Sequence, residues 1–257
     1  MSTPTPAVAA AIKIMRLLQT SGRPLGVSEI ARQMGLNKST AHGIIATLVS
    51  ESLLAEDGDS KRYQLGAALV ELAQAVRGPL TLLARPYVDA VAREFGLGCF
   101  VAAAYSNREL LILDGSDMAG GIRVTVSIGD RFPLTGGALG KAYLAWQSTA
   151  FVLETIERVG LPKRTKTSVT KAADYLEQLA HTRKVGYGEA REEYQAGANA
   201  VAAPIFDSSG AVRLMLLTFG LPTQLPPAEL KRKGKRLREV ADTITALIGG
   251  VQQRWVG

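Results

Sequence analysis

The stretch Val27–Val49, VSEIARQMGLNKSTAHGIIATLV, reads as two short helices separated by three residues. Val27–Met34 has helical spacing of its apolar residues, and Gly35 supplies the left-handed residue that commonly follows a helix end. Gly35, Leu36 and Asn37 form the connection, and the next helix starts with Asn37 or Ser39 as cap and continues to about Glu51. Two helices joined by a short turn containing glycine form a helix-turn-helix. On a helical wheel Ala41, Ile44, Ile45 and Leu48 share one side, the stripe that packs inward. Ser39, His42, Gly43, Ala46 and Ser50 share the other. A recognition helix presents its N-terminal residues to base edges in the DNA major groove, which makes Lys38, Ser39, Thr40, His42 and Gly43 the candidate contacts. Taken alone, Lys38-Ser39-Thr40 would serve equally well as the start of an ordinary surface helix. Gly43 is the odd residue, because glycine inside a helix costs roughly 1 kcal/mol relative to alanine.

Working outward, Val8, Ala11, Ile12, Met15 and Leu18 recur at helical spacing and predict a first helix over Ala7–Thr20, behind a loose tail at 1–6 and ahead of a break at SGRPLG. On the other side, LLAE and KRYQL flank DGDS, predicting a β-hairpin over Leu53–Leu65 with Asp57-Gly58 at its tip. Helix, helix-turn-helix and hairpin make a winged helix. In that arrangement Lys61 and Arg62 lie where a wing reaches the flanking DNA backbone, although a solvated hairpin edge accounts for them too. A further helical segment, Ala68–Arg77, ends at Gly78-Pro79.

The remainder has a different character. A helix over Leu80–Phe95 leads into the strand-length apolar runs CFVAAAY, LLILDG and IRVTVSI. Helical patterns follow near Ala138–Trp146, Phe151–Val159 and Ala172–Thr182. Strands are expected at Ala198–Phe206 and Val212–Phe219, and a last helix at Ala228–Val251. Strands with interspersed helices and no strict alternation predict an α+β fold. The expected domains are a winged helix-turn-helix at 1–66, a linker helix at 67–79 and a sensor domain at 80–257.

Composition narrows the function. The 257 residues carry 30 Lys plus Arg against 23 Asp plus Glu, a net charge of +7 that suits an anionic partner such as nucleic acid. Residues 1–77 hold eight basic and six acidic side chains, so charge alone does not locate a binding face. One cysteine and two histidines offer no internal disulfide and no zinc cluster. No apolar run approaches the ~20 residues of a membrane span, and the start lacks a secretory layout, so a cytoplasmic location without membrane partners is expected. PLTGGALGKA suggests a phosphate loop but fails that template at Thr135 and Ala142. A glycine-rich turn entering a helix still presents free backbone N–H groups to an anion, and tight loop packing without a ligand is the alternative. Cys99 has apolar neighbours and no histidine base nearby, and reads as a core residue. KRKGKR from Lys231 fits a solvated helix face, and Glu192-Glu193 are sequence neighbours rather than a facing catalytic pair. No catalytic residue, metal or cofactor is expected.

The segment AIKIMRLLQTSGRPLGVSEIARQMGLNKSTAHGIIATLVSESLLAEDGDSKRYQLG is similar to the DNA-binding domain of IclR-type transcriptional regulators. GDRFPLTGGALGKAYLA, VGYGEAREEYQAG and NAVAAPIFDSSG resemble loops and strands of that family's GAF-like effector-binding domain. The resemblance covers nearly the whole chain. It implies a transcriptional regulator, a dimer or dimer of dimers on double-stranded operator DNA, whose affinity changes when a small metabolite occupies the second domain. It also implies that the glycine turn borders the ligand, giving Leu134, Thr135, Gly136, Gly137 and Ala138 as contact candidates, with Glu189, Ala198, Ala200, Leu217 and Phe219 from the later strands. Some relatives carry an Asp where this chain has Ala190, and inward hydroxyl residues where it has Leu217 and Phe219. An apolar wall with an anion-holding turn suits an aromatic or extended carboxylate better than a small polar acid. Family habit favours repression of a catabolic operon over activation. Relatives commonly place Arg at the position of Gly43.

Overall fold

The structure, a computed structural model, describes residues 5–117 and 126–251. The chain divides into two compact units, Met1–Val76 and Arg77–Gly257.

The first unit contains helix α1 (Pro6–Ser21), strand β1 (Leu25–Gly26), α2 (Val27–Met34), α3 (Lys38–Ser50), β2 (Leu54–Glu56) and β3 (Arg62–Leu65). The α2–α3 turn forms as the sequence dictates. Gly35 adopts φ 63°, and the Leu36 N–H returns to the Ala31 carbonyl at 2.9 Å, satisfying an orphan helix-end group. Asn37 caps α3, its Oδ1 accepting from the Thr40 N–H at 2.7 Å. Ile14, Leu18, Leu25, Ile30, Ile45, Leu48 and Leu54 make the core. The hairpin pairs Leu54 with Leu65 and Glu56 with Tyr63, but its tip is longer than two residues. A 3-10 turn at Gly58–Ser60 and a left-handed Lys61 (φ 49°) carry the chain round. SGRPLG does more than break a helix, since β1 within it adds a third strand to the order β1-β3-β2. The expected apolar stripe of α1 is split: Leu18 is buried and Ala11 and Met15 are half-buried, while Val8 and Ile12 are exposed, and Ile14, outside the stripe, is fully buried.

Helix α4 spans Ala68–Phe95, interrupted at Gly78, where φ 66° and ψ 166° leave the helical region for one open essentially to glycine. From there the second unit comprises β4 (Cys99–Ala104), β5 (Glu109–Ser116), β6 (Arg131–Pro133), α5 (Gly137–Leu144), α6 (Thr149–Val159), α7 (Ala172–Val185), β7 (Gly188–Arg191), β8 (Asn199–Phe206), β9 (Val212–Gly220) and α8 (Pro227–Leu247). Among the described residues six antiparallel strands follow the order β6-β5-β4-β9-β8-β7. The expected strand at IRVTVSI falls largely outside the described residues. Its last three residues are not strand, and among the described residues the edge position is taken by β6, too short to show as an apolar run. β7 was hidden likewise, because GEAR has no alternating apolar pattern. The last helix ends at Leu247 rather than Val251, where Gly249 (φ 67°) and Gly250 fold back onto the carbonyls of Ala246 and Thr245.

Strand periodicity sorts the side chains into two cores. Cys99, Val101, Val201, Ala203, Leu214 and Leu216 meet the second half of α4 and α8 on one face. Phe100, Ala102, Ala202, Met215, Leu217 and Phe219 meet α5 on the other. A third cluster, Leu144, Val152, Tyr175 and Leu179, packs α5, α6 and α7 together. Cys99 is fully buried, and desolvation pushes its thiol up to about 12.

Candidate functional site

In the first unit α3 buries Ala41, Ile45 and Leu48 and exposes Lys38, Ser39, Thr40, His42, Gly43, Ala46 and Thr47. The outer face is therefore small, polar and open. A Cβ built on Gly43 meets no atom within 4 Å, so no packing demand explains this glycine. Ser39 is partly committed to the helix start, its Oγ donating to Asn37 Oδ1 at 2.9 Å. The two wing residues part company. Lys61 stands at the tip in its left-handed turn, whereas Arg62 turns back and donates to the Pro24 carbonyl at 3.2 Å, with the Glu29 carboxylate 4.0 Å away. Arg23 bridges the same Glu29 at 2.6 Å and holds its carboxyl below the usual range. Arg62 thus ties the hairpin to the start of α2.

In the second unit a cavity of ≈ 60 Å³ opens between α5, the sheet and the chain following β7. Gly136, Gly137, Ala138, Ala198, Ala200, Leu217 and Phe219 line it, together with Val126, Phe132, Leu139, Ala190, Tyr194 and Gln195. Its walls are almost wholly apolar side chains. Phe219 stacks on Phe100, ring centroids 5.4 Å apart, and Phe132 meets Tyr194 at 5.3 Å. Thr218, between the two lining residues of β9, faces away and donates to the Gly98 carbonyl at 2.8 Å. The polar element is backbone. The first bond of α5 runs from the Gly140 N–H to the Gly136 carbonyl at 2.9 Å, which leaves the N–H groups of Gly137, Ala138 and Leu139 ahead of it without an intrahelical acceptor.

Three of the expected ligand contacts lie outside this lining. Leu134 is fully buried in the core beneath it. Thr135 is a brace, its Oγ1 donating to the Gly160 carbonyl at 2.8 Å and its own carbonyl accepting from Tyr175 at 3.3 Å. Glu189 follows strand alternation: Ala190 lines the cavity, so Glu189 points the opposite way and pairs with Arg191 at 2.8 Å.

Sequence reasoning missed Lys141 and Glu193. Lys141 is 3% exposed and donates to both Glu193 carboxylate oxygens at 2.9 and 2.7 Å and to the Glu189 carbonyl at 2.7 Å. Burial pulls its ammonium below the ordinary lysine value, and Glu193 opposes that. The lysine of the failed phosphate loop is thus a pin between α5 and the segment after β7. The glycines serve the same packing: a Cβ at Gly188 would sit 2.6 Å from the Ala138 carbonyl, and one at Gly140 2.5 Å from that of Leu134. Tyr194 was also passed over, since nothing in REEYQAG marks its ring as a cavity wall.

A winged helix with an open polar recognition face, joined through a glycine-broken helix to a sheet domain with an apolar cavity, defines a one-component DNA-binding regulator with an effector-binding domain. Comparison with known proteins agrees with that class. Residues 7–58 match the IclR helix-turn-helix domain and residues 73–246 the bacterial transcriptional regulator IclR C-terminal domain. The chain belongs to the IclR family of transcriptional regulators. It is 35% identical to the glycerol operon regulatory protein of Streptomyces griseus over 201 residues, 77% of each chain. It is 25% identical to the transcriptional repressor IclR of Escherichia coli (strain K12), over 94% of this chain and 89% of that one. Among solved structures, an IclR homolog from Microbacterium hydrocarbonoxydans complexed with 4-hydroxybenzoate superposes with a TM-score of 0.78 at 25% identity, covering 93% of this chain and 98% of that one.

Proposed function

We infer that this regulator is a cytoplasmic homodimer, or a dimer of dimers, that represses a catabolic operon and is released by a small aromatic carboxylate, without turning its ligand over. The observation that carries the reading is the cavity, with apolar walls on every strand side and, at one end, the N–H groups of Gly137, Ala138 and Leu139, which have no backbone acceptor among the described residues. Such a site takes an aromatic ring against Leu217, Phe219 and Ala200 and the carboxylate at the helix start, where the dipole favours negative charge. By the same measure of volume one water takes ~10–15 Å³, so ≈ 60 Å³ favours a single compact ring over an extended chain. The 4-hydroxybenzoate held by the Microbacterium homolog is a ligand of that chemistry. Repression is supported by the named activity of the Escherichia coli relative. On the DNA side Lys38, Ser39, Thr40 and His42 supply the base contacts and Lys61 the wing contact. Exposed Val8 and Ile12 on α1, and Val70, Leu72 and Leu82 on α4, supply apolar surface for self-association. Isothermal calorimetry of the full-length protein against benzoate, 4-hydroxybenzoate, glyoxylate and pyruvate tests the ligand class. Benzoates are expected to bind at micromolar concentration; saturable binding of the keto acids with no response to the benzoates would overturn the assignment.

A further inference from the structure

Tyr194, a wall of the apolar cavity, also borders a cleft of ≈ 350 Å³ lined by Arg108, Arg131, Arg158 and Arg164, with Glu109 the one carboxylate among its described lining residues. Four separate segments bring these guanidinium groups together: the turn after β4, the edge strand β6, the end of α6 and the loop that follows it. Their commitments differ. Arg158 is a structural residue, its nitrogens donating to the Asn107 carbonyl, Glu154 and Thr155 at 3.1, 2.6 and 3.3 Å. Arg131 gives one N–H to Glu109 at 3.0 Å and lies over the Tyr105 ring at 4.6 Å, and the other donors of its fork meet no acceptor among the described residues. Arg108 and Arg164 have no carboxylate partner among the described residues.

The loop carrying Arg164 is fastened. Ser168 Oγ accepts from the N–H groups of Arg164 and Thr165 at 3.0 and 2.9 Å and donates to the Glu193 carbonyl at 2.7 Å. That holds the Arg164 guanidinium 4.4 Å from the Tyr194 ring centroid, the stacked placement in which a planar fork is pre-organised for an anion. The backbone of Arg108 is fixed by the bond from the Leu134 N–H to its carbonyl at 2.8 Å. Exposed Lys163 and Lys166 on the same loop add to the positive field. Convergence of several arginines on one concave surface, with fewer carboxylates than guanidinium groups, is the arrangement that recognises a multivalent anion.

We propose that this arginine cleft is a second ligand site, for a small dianion such as a phosphate monoester or a dicarboxylate, held by Arg108, Arg131 and Arg164 and sharing Tyr194 as a wall with the effector cavity. It stands whatever the cavity binds. Full-length protein is titrated calorimetrically with inorganic phosphate and, separately, with succinate, chloride balancing the ionic strength throughout. The expected result is saturable binding of at least one probe at one site per chain, the stronger probe naming phosphate or carboxylate chemistry. Arg108→Ala/Arg164→Ala is expected to weaken that binding at least tenfold while leaving benzoate binding within twofold of the parent. Arg164→Gln, which keeps a polar side chain but removes the guanidinium at an exposed position, is expected to show most of the loss. No saturable binding of either probe, or equal binding in the parent and both variants, would overturn the proposal.

Discussion

Gly43 lies on the outer face of α3 with open space around it. Its open surroundings show that the glycine answers no steric demand in the fold, and it leaves the outer face of α3 without a side chain at that position. Gly43→Arg is expected to raise stability by about 0.5–1 kcal/mol through helix propensity and to tighten DNA binding, read by urea melts and anisotropy titration. Gly43→Ala is expected to reproduce the first effect alone; a tighter complex from alanine would move the explanation from the side chain to the helix. Lys141 gives the opposite case, a charge the fold depends on. Lys141→Ala leaves the 15% exposed Glu193 carboxylate without its cation, which is expected to cost about 3–5 kcal/mol. A denaturant midpoint near that of the parent would show the pin to be dispensable. Cys99 is expected to resist a thiol reagent at pH 8 until the protein unfolds, because burial and a thiol pushed up to about 12 leave almost no thiolate; stoichiometric labelling of the folded protein would contradict its burial.

At the scale of elements, the helix-turn-helix was legible because each signal has one local cause: Gly35 ends α2, Asn37 caps α3 and the apolar stripe faces inward. Asn37→Ala is expected to destabilise the first unit by about 1 kcal/mol. What was not legible depends on partners far away in sequence. β1 and β7 carry no alternating apolar pattern, and each becomes a strand only because a neighbour's ladder, β3 or β8, lies beside it. The inward facing of Ala190 and the outward facing of Glu189 follow from that pairing, which the sequence position of Glu189 beside Ala190 does not reveal. Lys141 with Glu193 lies 52 residues apart, beyond any local signal. The glycine turn illustrates both limits: its N–H groups follow from local sequence, whereas the close approaches that require Gly140 and Gly188 arise from the packing of β7 and of the turn against α5. Gly78 is the element-level hinge candidate, its conformation open essentially to glycine. Gly78→Ala is expected to leave each unit folded by circular dichroism yet reduce the effect of ligand on DNA affinity. Unchanged coupling would remove α4 from the account.

For the molecule as a whole, regulation requires a ligand that binds the two conformations of the protein differently, and operator affinity can shift only by that difference. The exposed apolar residues of α1 and α4 make self-association part of the account: Ile12→Lys/Val70→Lys is expected to shift sedimentation toward monomer and weaken operator binding together, and a monomeric parent protein would contradict it. The net charge of +7 adds a salt-dependent, sequence-indifferent component to DNA binding, so affinities must be compared at one ionic strength. The most direct measurement is an anisotropy titration of a labelled duplex spanning the intergenic DNA beside the protein's own gene, at 0.15 M salt as the order of physiological ionic strength, with and without saturating 4-hydroxybenzoate. The account predicts that ligand weakens binding at least fivefold, a coupling of about 1 kcal/mol, and that Ala200→Phe, which fills the cavity, abolishes the effect. Equal affinity in both arms, with calorimetry showing the ligand bound, would contradict it.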